Sequence, residues 1–265
     1  MREINFKGKY FVKADIVLKT GLHIGGEENM EIGGIDKTVI KDALGRPYIP
    51  GSSLKGKLRS LMEYYHEKID DTLVFTVKNS IRIHMCDDVD CPVCNLFGKT
   101  HGKHEQVSGK EVVFENLMPT RLIVRDAVID ESKITKEMME NLSINYTEVK
   151  PENTLDRITS AATPRFNERV PAGTVFKSEF VINVYNDDEL KYLRELITAL
   201  KLLEDDYLGG SGSRGYGKVK FENIKIVFKD KEYYKGNGSE KVYEIKELDN
   251  INWEDLKNKL KIGDW

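Results

Sequence analysis

Residues 8–19 read GKYFVKADIVLK and establish the first element of the fold. Their apolar side chains recur at every second position: Tyr10, Val12, Ala14, Ile16 and Leu18. A period of two residues is typical of a β-strand with one buried face. The stretch therefore predicts a first strand that covers a core on one side.

The next informative stretch is IPGSSLKGKLRS, residues 49–60, which predicts the start of a helix. Pro50 and Gly51 suit the end of the preceding segment, and the two serines after them suit the N-cap. Three cations follow with no acidic residue among them: Lys55, Lys57 and Arg59. A helix N-terminus offers unpaired N–H groups and a positive dipole end, so we predict that this segment binds phosphate.

The same segment nearly matches the nucleotide-binding loop G-x-x-x-x-G-K-[S/T]. Gly51, Gly56 and Lys57 fit the pattern, but the last position is Leu58, which has no hydroxyl to bind Mg²⁺ beside a triphosphate. This mismatch disfavours an NTPase. A polynucleotide backbone needs only cations and N–H donors, both of which the segment supplies.

Hydrophobic periodicity predicts the remaining elements. Further strands are expected at 72–77, 111–116, 121–129, 176–184 and 218–229, and a second helix from about Asp188 to Glu204. This order predicts an α+β fold with a ferredoxin-like (RRM-like) core. Long insertions are expected at about 21–48, 78–110 and 131–172. We expect one domain over 1–235, followed by a peripheral helical tail over 236–265.

Composition bounds the class of protein. The chain has 265 residues and 40% hydrophobic content, enough for one domain with a substantial core. It contains no apolar run long enough to span a membrane, and MREINFKGKY lacks the apolar region of a signal peptide. We therefore expect a cytoplasmic protein with no membrane partner. The net charge of −3 speaks against nucleic acid, but residues 51–60 and 209–220 are basic and free of acids.

The three cysteines are clustered in the pattern His84-x-Cys86-x4-Cys91-x2-Cys94. In a cytoplasmic protein such clustering favours a metal over a disulfide. Three thiolates and one imidazole would complete a tetrahedral, structural zinc site. The fourth ligand is open at this stage, since His101 and His104 are also near in sequence. The alternative is a set of reduced thiols on a loop.

A second glycine-rich stretch follows the second predicted helix and contains Gly210, Gly212, Arg214 and Gly215. It matches G-x-G-x-x-G, but a dinucleotide site needs a strand before the motif and a helix after it. Here that order is reversed, which disfavours a dinucleotide site. A helix C-cap explains one or two glycines, whereas so many predict close approach to another backbone.

Three further features contain polar residues whose role the sequence pattern alone leaves open. Asp36 lies in the first insertion, and a single loop aspartate is usually a turn residue or a solvated charge. His23 follows the first strand between glycines, close to the basic helix start. Residues 147–173, which include Arg157, Arg165, Phe166 and Arg169, form either an exposed loop or an arm that inserts between bases.

Taken together, these segments resemble the RAMP superfamily of CRISPR proteins. The closer resemblance is to the backbone-subunit family of type III-A (Csm) effector complexes. It extends from about residue 8 to 228 and is carried by these motifs in family order: GLHIGG, GGIDKTVIKD, IPGSSLKGKLRS, CPVCNLFG, ENTLDRITSAATPRFNERVPAG and GGSGSRGYGKV.

The resemblance implies that several copies of the chain polymerise along one CRISPR RNA beside other Csm-complex subunits. Each copy would bind about six nucleotides, and base pairing with the guide would select the target RNA. The family's catalytic aspartate falls on Asp36, with Mg or Mn as cofactor. Contacts to the guide fall on His23, Ser53, Lys55, Arg59 and the glycine-rich loop, and residues 147–173 match the family's thumb, with Arg157 and Arg169 as RNA contacts.

Two other functions remain open at this stage. The chain could be a structural RNA-binding scaffold, with another subunit cutting the target. It could instead be a nuclease that processes precursor CRISPR RNA, and His23 would then be the candidate acid or base.

Overall fold

The computed structural model describes residues 4–26, 37–76, 81–115, 118–142, 144–186 and 190–261. Its strands are β1 (Phe6–Leu18), β2 (Tyr48–Ile49), β3 (Val74–Thr76), β4 (Ile81–Ile83), β5 (Gly102–Glu105), β6 (Glu111–Phe114), β7 (Leu122–Val124), β8 (Ala127–Ile129), β9 (Glu148–Leu155), β10 (Ala162–Arg169), β11 (Val175–Tyr185), β12 (Val219–Asp230) and β13 (Lys241–Glu247). Its α-helices are α1 (Gly51–Tyr65), α2 (Pro92–Phe97), α3 (Lys136–Glu140), α4 (Lys191–Asp205), α5 (Lys231–Tyr234) and α6 (Trp253–Leu260).

One antiparallel sheet forms the centre of the molecule. Its strand order is β13-β12-β1-β11-β8-β2, and β7 also pairs with β11. With α1 and α4, the strands β1, β7/β8, β11 and β12 follow the order β-α-β-β-α-β, in which β1 lies between β11 and β12. This is the ferredoxin-like arrangement, so the predicted α+β class and core are confirmed.

The core lies between the sheet and its two long helices. The alternating residues predicted from β1, from Tyr10 to Leu18, are all buried. Leu54 and Leu58 of α1 and Leu193 and Leu200 of α4 are each 0% exposed. Burial of one such side chain contributes about 1.5–3 kcal/mol, so these stripes hold both helices on the sheet.

The start of α1 differs from the sequence prediction. The helix begins at Gly51 with Pro50 as N-cap residue and without a side-chain cap, so the expected serine N-cap is wrong. The cap is supplied from elsewhere, because the Gly51 N–H donates to Asp126 Oδ1 at 2.7 Å. Asp126 lies where the strand expected at 121–129 is divided into β7 and β8. The interruption of this strand therefore anchors the helix start against the sheet.

The insertions form small substructures. Two hairpins, β3-β4 and β5-β6, enclose a minor core of Val74, Met85 and Phe114. The β9-β10 hairpin pairs in register from Glu148 with Arg169 to Leu155 with Ala162, and most of its residues are exposed. It therefore projects from the body of the protein as a two-stranded arm.

The tail contains a strand that the sequence analysis missed. β13 pairs antiparallel with β12 and extends the main sheet, so the tail is not wholly helical. The expected helix is α6, which begins after Asn252 caps the N–H groups of Glu254 and Asp255. Among the described residues, every helix is too short or too polar to cross a membrane.

Candidate functional site

The glycine-rich loop packs closely against the segment after β1. The Gly210 N–H donates to the His23 carbonyl at 2.8 Å, and the Gly217 N–H donates to the Gly21 carbonyl at 2.9 Å. A Cβ on Gly209, whose φ is +78°, would lie 2.3 Å from the His23 oxygen. Side chains are excluded there, so the predicted close approach of backbones is confirmed.

Gly212 has a different neighbour. A Cβ at this position would lie 2.0 Å from the Tyr207 ring. The same ring lies 3.9 Å from Lys57 Nζ, which also pairs with Asp206 at 3.0 Å. The glycine-rich loop, the turn before it and α1 are thereby packed together. The two basic stretches of the sequence, residues 51–60 and 209–220, therefore lie close to each other in the fold.

His23 is buried, with 8% exposure, and its Nδ1 lies 2.8 Å from the Glu168 carbonyl oxygen. An Nδ1–H that donates to this carbonyl fixes the ring on the base of the β9-β10 hairpin. This position suits a residue that shapes the surface. It does not suit an exposed acid or base.

Glu168 joins three segments of the chain. Its side chain, 3% exposed, pairs with Lys41 and accepts the Thr147 hydroxyl at 2.6 Å and the Val39 N–H at 2.8 Å. Burial alone would raise the pKa of Glu168, but Lys41, Thr147 and Val39 outweigh it and the pKa is lowered. The carboxylate therefore stays charged and anchors residues 39–41.

Asp36, the expected catalytic residue, lies outside the described residues. The chain is described again from Lys37, whose carbonyl accepts the Glu168 N–H at 2.9 Å. Ile40 N–H then donates to the Ile24 carbonyl at 3.0 Å. The segment directly after Asp36 is thus fixed between residues 24–26 and the hairpin base.

A cleft of about 660 Å³ adjoins this segment. Its lining includes Gly25, Gly26, Tyr48, Glu168 and residues 38–43. Asp42, on its wall, is held by the backbone N–H and the guanidinium of Arg46, which lower its pKa. The carboxylates of Asp42 and Glu168 thus already have basic partners.

The cations of α1 have intramolecular partners. Lys55 Nζ donates to the Leu122 carbonyl at 3.0 Å, and burial, with the nearby Arg59, lowers its pKa. Ser53 is half-buried in the first turn. Apart from its chain neighbours and the nearby backbone of α1, no atom of the described residues lies within 4 Å of the position that a Cβ on Gly56 would take. The helix start therefore presents open backbone at Gly56 beside two polar side chains.

Arg59 is committed to another part of the chain. Its guanidinium donates to Glu63 Oε1 at 2.8 Å, to the Gly98 carbonyl at 3.0 Å and to the His84 carbonyl at 2.6 Å. The structure does not bring this side chain together with the glycine-rich loop, although the sequence analysis grouped them.

The base of the hairpin contacts the glycine-rich loop through Tyr216. Its hydroxyl donates to Glu152 Oε1 at 2.8 Å, and the Arg169 guanidinium lies 5.1 Å from its ring. Arg214 Nε lies 3.6 Å from Glu152, and its side chain is 58% exposed. Arg157 is exposed at the tip of the hairpin. The structure therefore places Arg169 beside Tyr216 and Arg214 beside Glu152, the partner of the Tyr216 hydroxyl. Arg157 is left at the far end of the arm.

The Cys/His cluster is assembled in the structure. Ligand atoms of His84, Cys86, Cys91 and Cys94 all lie within 4.8 Å of one another. His84 Nε2 is 3.4 Å from Cys91 Sγ, and Cys86 Sγ is 3.9 Å from Cys94 Sγ. The Cys94 N–H points at Cys91 Sγ at 3.5 Å. This arrangement fits a tetrahedral metal site and selects His84 as the fourth ligand.

The side chains of the metal-free cluster share protons with one another. Burial alone would lower the pKa of His84, but the Cys86 and Cys91 thiols raise it to about 9. The Cys86 and Cys94 thiols lower the pKa of Cys91. The Cys86 and Cys91 thiols raise the pKa of Cys94. The metal-free cluster therefore favours a Cys91 thiolate beside a protonated His84, and binding of a metal to neutral imidazole and thiolates would release protons. His104 instead lies 3.3 Å from the Thr100 hydroxyl and packs on Phe114, and His101 is exposed.

Three residues that organise this surface were not predicted from the sequence: Glu168, Asp126 and Tyr216. Asn167 and Glu168 are buried within a hairpin whose other residues are exposed or half-buried, and no local sequence pattern indicates this change. Tyr216, at 2% exposure, is the large side chain inside the glycine-rich loop, which was the available signal.

Comparison with known proteins agrees with this geometry. The model of the RAMP superfamily matches residues 15–220. "CRISPR system Cms endoribonuclease Csm3" of Methanocaldococcus jannaschii is 42% identical over 256 residues, which cover 95% of this chain and 94% of the relative. The protein of the same name from Streptococcus thermophilus is 42% identical over 224 residues, covering 81% and 87%.

Two solved structures are similar over nearly the whole chain. A crystal structure of the Csm3-Csm4 subcomplex in the type III-A CRISPR-Cas interference complex aligns with a TM-score of 0.58 and 34% identity, covering 97% of both chains. The Methanopyrus kandleri Csm3 crystal structure aligns with a TM-score of 0.59 and 23% identity, covering 97% and 93%. The second likeness is one of fold.

Proposed function

Because the chain belongs to the RAMP superfamily, and within it to the Csm3 family, we propose that it is a backbone subunit of a type III-A CRISPR interference complex. In this role it binds CRISPR RNA together with further copies of itself and other Csm subunits. It also cleaves the complementary target RNA as an endoribonuclease. We propose the cytoplasm as its compartment.

The observation that carries the proposal is the anchoring of the segment after Asp36. Glu168 holds residues 37–41 beside the cleft and against the base of the projecting hairpin. The resemblance to the Csm3 family places the catalytic aspartate at Asp36, directly before this anchored segment in the sequence. We therefore assign Asp36 as the catalytic residue.

The guide would lie along the start of α1 and the glycine-rich loop. Ser53 and Lys55, the open backbone at Gly56, and the loop residues Gly210, Gly212, Arg214 and Gly215 form this proposed track. Close approach of a phosphate backbone needs positions without side chains, which glycines provide. His23 holds the glycine-rich loop in place through its carbonyl, which accepts the Gly210 N–H. Arg157 and Arg169 belong to the arm, which we propose inserts between bases as a thumb.

Cleavage itself is proposed as attack by a target ribose 2′-OH on the adjacent phosphate, which forms a 2′,3′-cyclic phosphate and breaks the bond to the 5′-oxygen of the next nucleotide, which leaves as a hydroxyl. The arm would displace a base and allow the ribose and phosphate to reach in-line geometry, and Asp36 would then act on the 2′-OH proton. The resemblance adds Mg or Mn to this reaction. Of the described carboxylates on the cleft wall, Asp42 and Glu168 are bound to basic partners and offer no free ligand to such an ion.

A reconstituted complex with guide RNA, Mg²⁺ and matched target tests this function. We expect Asp36→Ala to leave assembly intact and to abolish cuts at regular spacing. Asp70→Ala is the matched control, because Asp70 is an exposed aspartate in a turn far along the chain and should leave cleavage unchanged. Regular cuts by the Asp36→Ala complex would reject the catalytic assignment, and no cuts by the wild-type complex would favour a structural scaffold.

A role in processing precursor CRISPR RNA is disfavoured by the burial of His23 and its contact with Glu168. Loss of precursor processing in a His23→Asn variant that still assembles would nevertheless support that role. Asparagine retains a side-chain N–H donor for the Glu168 carbonyl, so the variant separates chemistry from folding.

We also propose that His84, Cys86, Cys91 and Cys94 bind one structural zinc ion. Four protein ligands leave no coordination position for water, so the ion would cross-link the segment from His84 to Cys94 and take no part in cleavage. Metal analysis of the purified protein should give about one zinc per chain, and Cys94→Ser should reduce it strongly. Substoichiometric zinc in the wild-type protein would contradict the proposal.

A further inference from the structure

The Arg59 guanidinium binds both ends of segment 84–98, which carries all four proposed metal ligands. Arg59 donates to the His84 carbonyl at 2.6 Å and to the Gly98 carbonyl at 3.0 Å. His84 is the first ligand of the segment, and Gly98 is the C-cap of α2, the helix that begins after Cys91 and contains Cys94. The two ends of the segment are therefore held at one point on α1.

Glu63 completes this contact. Its side chain lies one helical turn after Arg59, and the residue is 5% exposed. Oε1 of Glu63 accepts both the Arg59 Nε–H at 2.8 Å and the His84 N–H at 3.1 Å. The pair thus binds the N–H and the C=O of the same metal-ligating residue, which fixes its backbone in position and orientation.

The ring of His84 lacks the support that such a ligand usually has. A metal-binding histidine generally donates its second ring N–H to a carboxylate or a carbonyl, which sets the ring orientation. Nδ1 of His84 is buried and has no hydrogen-bond partner among the described residues. Orientation of the imidazole must then come from its backbone, which is where Arg59 and Glu63 act.

We propose that Arg59 and Glu63 are positioning residues for the metal site. This inference rests on the zinc site proposed above and gives Arg59 a role other than RNA contact. The ion would link four side chains within segment 84–98. The Arg59–Glu63 pair binds the backbone at the two ends of the same segment. When the Arg59–Glu63 pair is in place, the segment has already lost part of its conformational entropy. Zinc binding then has less entropy to remove, so the pair increases the affinity for zinc.

The test measures zinc affinity of the full-length chain against a chromophoric chelator. Arg59→Met keeps an apolar side chain of similar length and removes the guanidinium. We expect zinc to bind about 10- to 100-fold more weakly to this variant. Arg59→Met with Glu63→Leu removes both charges, so no buried carboxylate is left unpaired if the single variant fails to fold. Lys57→Met is the matched control, since Lys57 lies on the same helix and pairs with Asp206. It should stay within about twofold of wild type.

Hydrogen exchange at the amide of residue 84 supplies a second measurement. In the wild type, zinc should slow this exchange, because the N–H is bound to Glu63 in the closed segment. In the double variant the amide should exchange fast even with zinc bound. A residue that merely stabilised the whole fold would weaken loaded and metal-free protein alike and leave zinc affinity unchanged.

The outcomes separate the two proposals. If wild-type protein binds no zinc, the metal site itself is wrong and this inference falls with it. If wild-type protein binds zinc and the double variant binds it within twofold of the Lys57→Met control, the positioning role is wrong while the metal site stands. Cobalt substitution gives the same distinction by visible absorption, which reports tetrahedral thiolate coordination.

Discussion

Replacing Glu168 with glutamine tests the anchoring of the segment after Asp36. The carboxylate has donors on both oxygens: Lys41 and the Thr147 hydroxyl face Oε1, and the Val39 N–H faces Oε2. Glutamine has nearly the same shape but is neutral and carries an NH₂ on one side. Whichever way it turns, that NH₂ faces a donor.

The cost follows from burial and charge. Removing one partner of a buried ion pair costs about 3–5 kcal/mol, and a hydrogen bond to a charged group contributes about 1.5–3 kcal/mol. The Lys41 side chain is 25% exposed and can turn toward water, so the effect lies at the lower end. We expect a loss of about 2–4 kcal/mol in the free energy of unfolding, or a fall in Tm of about 5–10 °C.

Thermal unfolding of purified chains at pH 7 measures this loss. Glu179→Gln is the matched control, because Glu179 pairs with Lys13 at 3.4 Å and with Arg125 at 3.8 Å on the surface, and its side chain is 30% exposed. Exposed pairs contribute about 0–1 kcal/mol, so the control should shift Tm by less than about 3 °C. Hydrogen exchange at residue 39 should also be faster in Glu168→Gln than in the control.

The dependence on pH gives the sign of the charge effect. The folded pKa of Glu168 is lowered from its ordinary value of 4.5. The stabilisation is therefore fully present above that value and is lost as pH falls through the lower folded pKa. The Tm difference between wild type and Glu168→Gln should be constant from about pH 6 to 8 and shrink below about pH 4.5. Equal Tm values for Glu168→Gln and the control, or a difference that persists at acid pH, would show that the charge of Glu168 does not anchor this segment.

Three further predictions concern the proposed RNA track and the metal loop. Gly56→Ala should stabilise the fold by about 0.5–1 kcal/mol in chemical unfolding yet weaken guide binding in a filter assay, because a methyl group would occupy open backbone. Gly212→Ala should lower Tm and guide affinity together, since its Cβ would lie 2.0 Å from the Tyr207 ring; unchanged values for both would contradict the packing. Removal of zinc by a chelator should lower Tm in the wild type and leave Cys94→Ser unaffected, as scanning calorimetry can show.

Local patterns predicted the elements whose burial alternates along the chain. The stripe from Tyr10 to Leu18 predicted β1 because its period reports which side is buried. The spacing from His84 to Cys94 predicted a metal site because ligands close in sequence can meet after one turn of loop. The choice among three histidines needed the fold, since only geometry shows that His84 faces Cys91.

What the sequence did not reveal depends on contacts between distant segments. Asp126 caps a helix that begins 75 residues earlier, so the serines at the helix start were mistaken for its cap. RNA contact by Arg59 stays a prediction from its place at a basic helix start; the sequence did not reveal that its guanidinium is bound to Glu63 and two loop carbonyls. β13 was missed because its charged residues interrupt the apolar signal.

The two edge strands of the main sheet, β2 and β13, affect how copies of the chain can associate. At one end β2 has only two residues, and at the other β13 alternates lysine and glutamate along KVYEIKE. Short or charged edge strands resist pairing with the edge of another molecule. Backbone ladders between copies are thereby discouraged, and untemplated fibres with them. In the proposed assembly, the length of the RNA would then set the number of subunits.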